Sequence, residues 1–584
     1  MQMNIIRGIA IVALASVSTA AMQAKVTLPA VFSDNMVVQQ NSVLTVTGTA
    51  RPLSTVTFRS DWTGGEGKTR TGKNGRFELN IPTPPAGGPY TLIFDDGSGN
   101  GEKTVLQNVL SGEVWICSGQ SNMEFPIKGD WAQLMDADEV VATMQRPALR
   151  LLQIRNTSSV NPLDDTDVEY GWAESSPAAA SFSAIGYLCG KMLQDSLNVP
   201  VGIIDASWGG TPVEAWTPYE ALKGVPGLEY QYGLLGKGKN EQALKDMEIK
   251  RVYESYDSPG KIAYPYDRNV MQKGKGWGKM PVPSMWEENV LPRFDGIVAM
   301  QYELILPAEA SGKSLKLCFG AIDDWDTAYF NGEMVGSGQI FDRMREYEVD
   351  GRLVKAGKNV ITVEVIDNGG GGGIWKSSHA IVNGESHSLD GEWNYAIVAD
   401  FSKTDIRSEW PESQYYPTAL YNAMINPLRT MPVAGVFWYQ GCANVGRAGQ
   451  YEICFKNMIN GWRKAFGNPS MPFYFVQLAG FMQPVVVQPE SEWALLRNAQ
   501  SKALELPHTD MATAIDLGNP IDIHPTNKAE VARRLTMLAL DKTYGMKQKC
   551  NTPRCIDSKI GGGYVELTLS LIHISEPTRH LRIS

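Results

Sequence analysis

Val114-Trp-Ile-Cys-Ser-Gly-Gln-Ser-Asn-Met-Glu-Phe-Pro126 is the stretch that decides the fold. It begins with the apolar residues 114–116 and continues directly into the small and polar residues 118–122. This change predicts a buried strand that ends at the carboxyl edge of an α/β sheet, where such sheets place ligands and catalytic groups. Gly119 lets the backbone turn without a Cβ atom in the way, and Ser121 then presents its hydroxyl at the edge. Ser121 is therefore a candidate nucleophile, although a Gly-x-Ser sequence alone is most often an ordinary strand-to-loop serine.

Two further predicted strands of the α/β type run into polar loops. The buried strand 201–205 leads to a loop with Gly209 and Gly210, and the apolar strand 433–439 leads to a loop that ends at Asn444. The carboxyl ends of parallel strands meet at one edge of a sheet, so these loops are expected to lie close to Ser121.

His524 is the candidate base among the six histidines of the chain. An imidazole that takes a proton from serine needs a fixed tautomer, and a carboxylate on its other nitrogen provides it. Asp522 lies two residues away on the same side of an extended segment, and Asp516 is the alternative carboxylate. On these residues alone, an exposed Asp-x-His pair without a catalytic role fits the sequence equally well.

Acyl transfer also needs hydrogen-bond donors for the negative charge that develops on the carbonyl oxygen. Three candidate donors follow predicted strands at the same sheet edge. They are the backbone N–H of Ser121, a backbone N–H of Gly209 or Gly210, and the side-chain amide of Asn444.

Composition describes a multidomain protein that does not belong to the nucleic-acid-binding classes. The 584 residues are too many for one hydrophobic core, and the net charge of −10 comes without a concentrated basic surface. Past the N-terminus, no long charge-free apolar segment predicts a membrane span. Cys550 and Cys555 are close enough in sequence to form a disulfide. Four cysteines in apolar surroundings are instead predicted to be buried thiols: Cys117, Cys189, Cys318 and Cys454.

The order of patterns along the chain predicts an exported protein with two β-rich domains and one split α/β domain. Residues 1–24 have the cationic, apolar and small-residue order of a signal peptide, which implies a periplasmic or extracellular location. The remaining assignments are a β-sandwich at 25–108, an α/β domain with a mostly parallel sheet at 109–220 and 401–547, an insertion at 221–400 with a second β-sandwich from about 286, a truncated β unit at 548–569 and a foreign, adapter-like tail at 570–584.

Together the polar blocks resemble those of the SGNH hydrolases, and more narrowly those of the sialate O-acetylesterase group of carbohydrate esterases. The blocks that carry the resemblance are Gly119-Gln-Ser-Asn-Met123, Ser207-Trp-Gly-Gly-Thr211, Trp438-Tyr-Gln-Gly-Cys-Ala-Asn444 and Asp522-Ile-His-Pro525. The segment 28–40 is also similar to that group's N-terminal β domain. The resemblance implies a three-layer α/β domain with Ser121 as nucleophile, His524 as base, and a glycine and Asn444 as oxyanion donors. It implies no metal and no organic cofactor, and it makes the inserted sandwich similar to sugar-binding modules.

The activity that the resemblance implies is removal of O-acetyl groups, typically from sialic acid. That substrate carries a carboxylate, and Arg447 is the candidate cation for it. The family usually has glutamate where this chain has Cys442, so orientation of the histidine would fall to Asp522. Two alternatives stay open. One is an esterase for acetylated polysaccharides such as xylan. The other is a carbohydrate-binding protein with an impaired catalytic centre, which the cysteine at position 442 in place of glutamate would indicate. The sequence does not indicate an oligomeric state.

Overall fold

A computed structural model describes residues 25–569 except 63, 98–102, 237–265, 275, 339–340, 368–369, 402–412, 487–488, 549–554 and 563. The predicted signal peptide, the adapter-like tail and Cys550 lie outside the described residues. The described residues form two compact units, one within residues 1–236 and 413–584 and the other within residues 237–412.

The strands are β1 Val37–Gln39, β2 Val43–Thr49, β3 Thr55–Ser60, β4 Glu66–Arg70, β5 Arg76–Pro82, β6 Gly87–Asp95, β7 Thr104–Gly119, β8 Arg146–Ile154, β9 Val168–Ser175, β10 Val201–Ser207, β11 Trp277–Val282, β12 Gly296–Leu306, β13 Leu315–Asp323, β14 Trp325–Phe330, β15 Glu333–Gly338, β16 Met344–Val349, β17 Gly357–Asp367, β18 Gly373–Ile374, β19 His379–Val382, β20 Glu385–Ser388, β21 Gly391–Asp400, β22 Gly435–Tyr439, β23 Phe473–Val476, β24 Thr509–Ala512, β25 Cys555–Gly561 and β26 Tyr564–Leu569. The α-helices are α1 Ser121–Glu124, α2 Ala137–Ala142, α3 Ala184–Leu197, α4 Glu229–Leu235, α5 Ala448–Ala465, α6 Glu492–Lys502 and α7 Lys528–Leu538.

The first unit contains a central sheet with the strand order β24-β23-β22-β7-β10-β8-β9. Neighbouring strands are parallel from β24 to β8, and β9 is antiparallel to β8. This is the mixed α/β arrangement that the alternating strand and helix patterns predict. The carboxyl ends of β7, β10, β22, β23 and β24 therefore lie along one edge of the sheet.

Buried aromatic and β-branched side chains hold the centre of this sheet together. Every residue of β10 and of β22 is buried, as expected for parallel strands covered on both faces. On neighbouring strands, the ring of Trp115 stacks on that of Phe437 with centroids 4.4 Å apart. Helix α3 begins where the Ser183 side chain accepts a hydrogen bond from the Gly186 N–H, and it ends at Asn198 in the left-handed conformation.

Strand β7 belongs to the central sheet and to the N-terminal β region at the same time. Its first half pairs with β6 and β1, and its second half pairs with β10 and β22. The strand continues through residues 108 and 109, where the sequence suggested a domain boundary, although Asn108 has φ +55° and the pairing with β6 shifts register next to it. The 16 residues from Thr104 to Gly119 therefore connect the two regions without a linker.

The second unit consists of antiparallel strands. One sheet has the order β11-β21-β12-β17-β14-β15 and another has the order β16-β13-β19-β20, with β18 beside β13. Side chains from both sheets share one hydrophobic core, which includes Phe319, Val363 and Trp393. The predicted Asn331-Gly332 turn between β14 and β15 is confirmed, since both residues have positive φ and the two strands pair.

The thiols of Cys117, Cys189, Cys318 and Cys454 are free and buried, as predicted. Within the described part of the chain, every helix is too short or too polar to cross a bilayer.

Candidate active site

Ser121 and His524 meet at the carboxyl edge of the central sheet. Ser121 is the first residue of α1, directly after β7 and Gln120, and its Oγ lies 2.8 Å from Nε2 of His524. Gly119 has φ +138°, and a Cβ atom there would lie 2.2 Å from the backbone oxygen of Tyr439. Only glycine fits this turn, so the backbone at Gly119 positions Ser121.

His524 lies in the loop between β24 and α7. Its backbone N–H donates to Oδ1 of Asp522 at 2.8 Å, whereas Nδ1 of its ring lies 3.8 Å from the same oxygen. The second distance is too long for a hydrogen bond, so Asp522 acts on the ring through charge. Burial and the positive charge of Lys528 lower the pKa of His524, and Asp522 partly opposes them. A lowered pKa keeps the imidazole neutral near pH 7, which is the form that can accept a proton.

The alternative carboxylate, Asp516, is bound elsewhere. Its two oxygens accept hydrogen bonds from Nη1 and Nη2 of Arg534 at 2.7 and 2.6 Å. This bidentate pair lowers the pKa of Asp516 and accounts for both carboxylate oxygens.

Asn122 connects the nucleophile segment to the histidine loop. Its Nδ2 donates to the backbone oxygen of Ile523 at 3.0 Å, and its Oδ1 accepts from Nζ of Lys528 at 2.5 Å. Burial lowers the pKa of Lys528 to about 7. Neither Asn122 nor Lys528 was predicted as a site residue from the sequence. The available signals were an asparagine next to the candidate nucleophile and a lysine four residues after the candidate base.

The glycine loop after β10 lies beside Ser121. A Cβ atom on Gly209 would lie 3.4 Å from the Cβ of Ser121. The Gly209 N–H donates to Oε2 of Glu124 at 2.6 Å, and Oε1 of that carboxyl accepts from Asn156 at 3.0 Å. Burial raises the pKa of Glu124. Glu124 is a further residue of the site that sequence reasoning missed, while Gly210 follows in the left-handed conformation with φ +73°.

Asn444 is fully buried in the turn after β22. Its Oδ1 accepts from the Val213 N–H at 2.9 Å and from Nε2 of Gln440 at 2.7 Å, and its Nδ2 donates to Oε2 of Glu214 at 2.8 Å. Nη1 of Arg447 donates to Oε1 of the same glutamate at 2.5 Å. The polar groups of Asn444 and Arg447 therefore hold the loop after β22 to the loop after β10.

Cys442 lies in the same turn and remains a neutral thiol. Burial raises the pKa of its thiol to about 12, so it brings no negative charge to the site at neutral pH. The turn is held to the nucleophile segment by Gln120, whose Oε1 accepts from the Gly441 N–H at 2.9 Å. Among the residues that the structure describes, no cluster of three or more histidine, cysteine and acidic side chains is arranged to hold a metal ion.

The sequence of the second half of the α/β domain matches a known family. Residues 397–539 match the family described as carbohydrate esterase, sialic acid-specific acetylesterase. The matched segment contains strands β22–β24 together with Asn444 and His524, whereas Ser121 and the glycine loop lie outside it.

Relatives extend the similarity over most of the chain. The sialate O-acetylesterase of Mus musculus is 24% identical over 514 residues, which are 82% of this chain and 66% of that protein. The sialate O-acetylesterase of Homo sapiens is 34% identical over 153 residues, 24% of this chain and 28% of that protein. The crystal structure of a carbohydrate acetylesterase from Xanthomonas citri is 25% identical with a TM-score of 0.58, and the similarity covers 94% of this chain and 82% of that one. The chain thus spans slightly less than two thirds of the length of the mouse protein.

Proposed function

We propose that the protein is a carboxylic ester hydrolase that removes O-acetyl groups from carbohydrate, with sialic acid as the leading substrate, through an acyl-serine intermediate. The observation that carries this proposal is the 2.8 Å contact between Oγ of Ser121 and Nε2 of His524. The acetylesterase match and the mouse relative support the acetyl group and the sialate sugar.

The proposed reaction has two halves in which His524 first takes and then returns a proton. Nε2 of His524 accepts the hydroxyl proton of Ser121 as Oγ bonds to the acetyl carbonyl carbon. The imidazolium then gives this proton to the departing sugar oxygen, and the acetyl group stays on Ser121. In the second half, His524 takes a proton from water, whose oxygen attacks the acetyl carbon. The bond between Oγ and the acetyl carbon breaks as the proton returns to Oγ, and the product leaves as acetic acid, which ionises to acetate.

Asp522 is proposed to favour the imidazolium that forms during each half-reaction. At 3.8 Å from Nδ1 its contribution is a charge interaction, and its carboxylate accepts a hydrogen bond from the backbone N–H of His524. It therefore fixes the loop and stabilises the positive ring without a direct hydrogen bond to it.

Backbone N–H groups are the proposed oxyanion donors. The N–H of Ser121 and those of the glycine loop are the leading candidates. The Gly209 N–H donates to Glu124, so it becomes available only when that carboxyl moves away, and Gly210 supplies the alternative. Asn444 is the weaker candidate because its Nδ2 donates to Glu214.

An esterase for a neutral acetylated polysaccharide such as xylan is the second candidate function. The ion pair between Arg447 and Glu214, at 2.5 Å, favours this function. Arg447 is the side chain expected to bind the sialic acid carboxylate, and Glu214 already pairs with it. A neutral sugar needs no such cation.

The test measures acetate release from O-acetylated sialic acid and from acetylated xylan, with wild type and Ser121→Ala. The proposal expects release that depends on Ser121, with sialic acid preferred. A preference for xylan would support the second candidate. Sugar binding without hydrolysis of any acetyl ester would favour a carbohydrate-binding protein with an impaired centre, in which Cys442 replaces a needed carboxylate.

A further inference from the structure

Trp131 is a large exposed aromatic residue beside the proposed base. Its side chain is 53% exposed, and its ring centroid lies 5.4 Å from that of His524 with an angle of 76° between the planes. A second contact, at 5.7 Å and 71°, joins it to the buried ring of Phe125. The rings of His524 and Phe125 therefore fix the indole of Trp131, while about half of its surface faces solvent.

A short backbone hairpin presents Trp131. The Gly129 N–H donates to the Ala132 oxygen at 3.0 Å, and the Leu134 N–H donates to the Ile127 oxygen at 3.0 Å. An aromatic side chain that is fixed before a ligand arrives loses little conformational entropy on binding, which favours its use as a contact surface.

The chemistry of ester cleavage determines which part of the substrate lies near Trp131. The departing sugar oxygen must come within hydrogen-bond reach of Nε2 of His524, because His524 gives it a proton. The sugar carbon that carried the acetyl group is bonded directly to that oxygen, so the sugar lies on the histidine side of Ser121. Trp131 contacts the same histidine and therefore borders the space of the sugar.

We propose that Trp131 is the platform against which the apolar C–H face of the sugar ring packs. This proposal rests on the proposed esterase function and adds a substrate contact to it. An indole offers a large apolar surface and excludes water from the C–H face of a pyranose. The platform favours acetylated sugars over acetyl esters of small alcohols.

The test compares Trp131→Ala and Trp131→Phe on an O-acetylated monosaccharide and on 2,2,2-trifluoroethyl acetate, which has the same acetyl group but a small leaving group. Trp131→Ala is expected to lower kcat/KM for the sugar at least about 10-fold more than for trifluoroethyl acetate, mainly by raising KM. The kcat/KM of Trp131→Phe for the sugar should lie between those of wild type and Trp131→Ala. Gln133→Ala, exposed on the same hairpin, is the matched control and should behave like wild type. Equal losses on both esters, or no loss, would overturn the platform.

A binding measurement separates this proposal from the esterase function. In the Ser121→Ala background, calorimetric affinity for the acetylated monosaccharide should fall about 10-fold when Trp131 is also replaced by alanine. Unchanged affinity would overturn the platform whether or not wild type hydrolyses the ester. If wild type hydrolyses no acetyl ester while this fall is seen, the esterase function fails and the platform stands.

Lys528 has a completely buried side chain at the start of α7. Its Nζ donates to Oδ1 of Asn122 at 2.5 Å and lies 4.5 Å from the ring centroid of Phe125. Asn122 in turn donates to the oxygen of Ile523 at 3.0 Å. This bridge joins the residue after Ser121 to the residue before His524.

We infer that Lys528 is a positioning residue that sets the Ser121–His524 contact through Asn122 and disfavours the imidazolium of the resting enzyme by its charge. The titratable groups that act on His524 are Lys528 and Asp522. Asp522 and the Cys442 thiol face Lys528, and the thiol is uncharged in this pH range because burial raises its pKa to about 12. Burial lowers the pKa of Lys528 to about 7, so Lys528 is fully charged only below neutral pH. In that pH range the positive charge opposes protonation of His524, which would remove the base.

The test is the pH profile of kcat/KM for Lys528→Met, with Lys528→Arg as the conservative variant that keeps a positive charge. Lys528→Met is expected to lower kcat about 10-fold or more and to move the acid limb to higher pH, and Lys528→Arg should return the limb towards its wild-type position. Asn122→Ala, which keeps the lysine, should lower kcat with little movement of the limb. A loss of activity in Lys528→Met without any movement of the limb, or full activity in Asn122→Ala, would overturn the inference.

Discussion

The hydroxyl oxygen of Ser121 lies 2.8 Å from Nε2 of His524, although 403 residues separate the two in the sequence. Ser121 follows β7 and His524 follows β24, and strands β22 and β23 lie between them in the sheet. The loop after β24 therefore has to pass the ends of two strands to bring the imidazole to the hydroxyl. The bond from Asn122 to the oxygen of Ile523 secures the loop at the point of contact.

Replacing Ser121 by alanine is expected to lower kcat on an acetyl ester by about 10³-fold or more, because the acyl-serine intermediate can no longer form. The side chain is only partly buried, so the folded structure should persist. Initial rates and the melting temperature of both proteins check this. Activity within about 10-fold of wild type, at unchanged melting temperature, would exclude Ser121 as the nucleophile.

The acid limb of kcat/KM is expected to lie below pH 6.5. Catalysis begins with neutral His524, and burial together with Lys528 lowers the pKa of its imidazole below the usual 6.5. As pH falls, activity should persist through 6.5 and be lost only at the lower pKa of the folded protein. Rates at subsaturating ester and constant ionic strength measure this limb. A limb at or above pH 6.5 would contradict the assignment of His524 as base.

Asp522→Asn is expected to lower kcat about 10-fold, much less than the roughly 10⁴-fold loss seen when a carboxylate hydrogen-bonded to the ring is neutralised. Its carboxylate is 3.8 Å from Nδ1, and its side chain is half exposed. The asparagine oxygen can still accept from the backbone N–H of His524, so the loop should keep its conformation. Steady-state kinetics measure the effect. Unchanged turnover would remove Asp522 from the site, and a 10⁴-fold loss would require the carboxylate to hydrogen-bond the ring during turnover.

The elements of the site that the sequence predicted are those that depend on local patterns. The apolar run 114–116 and the turn at Gly119 identified the edge of the sheet, and the geometry of Ser121 follows from them. A mostly parallel sheet also followed from the alternation of strands and helices. These features depend on residues within a few positions of each other, so one chain is enough to predict them.

The parts that the sequence did not predict depend on hydrogen bonds between distant segments. A buried lysine that binds Asn122, and a glutamate that binds the Gly209 N–H, have no local signature because polar residues usually lie at the surface. The amide of Asn444 was expected near the oxyanion, yet its direction is set by Glu214, 230 residues away. The shared strand β7 was missed because its residues continue one β pattern through two sheets.

Gly119→Ala is expected to destabilise the protein by about 3 kcal/mol or more and to abolish activity in what remains folded. The added methyl group would lie 2.2 Å from the Tyr439 oxygen, at a φ of +138° that alanine rarely adopts. Gly171→Ala is the matched control, because no atom lies within 4 Å of a Cβ at that position. Denaturant unfolding of both variants measures the difference. Equal free energies of unfolding would contradict the geometry of the turn.

Asn444→Ala distinguishes a structural asparagine from an oxyanion donor. The variant leaves buried hydrogen-bonding groups of Val213 and Glu214 without their Asn444 partner, so the free energy of unfolding should fall by about 2–4 kcal/mol. Asn80→Ala, at an exposed position of β5, is the control and should change it by less than about 0.5 kcal/mol. Denaturant unfolding and kcat are measured on the same samples. A 10²-fold loss of kcat at unchanged stability would instead make Asn444 an oxyanion donor, and would require its amide to turn away from Glu214 when substrate binds.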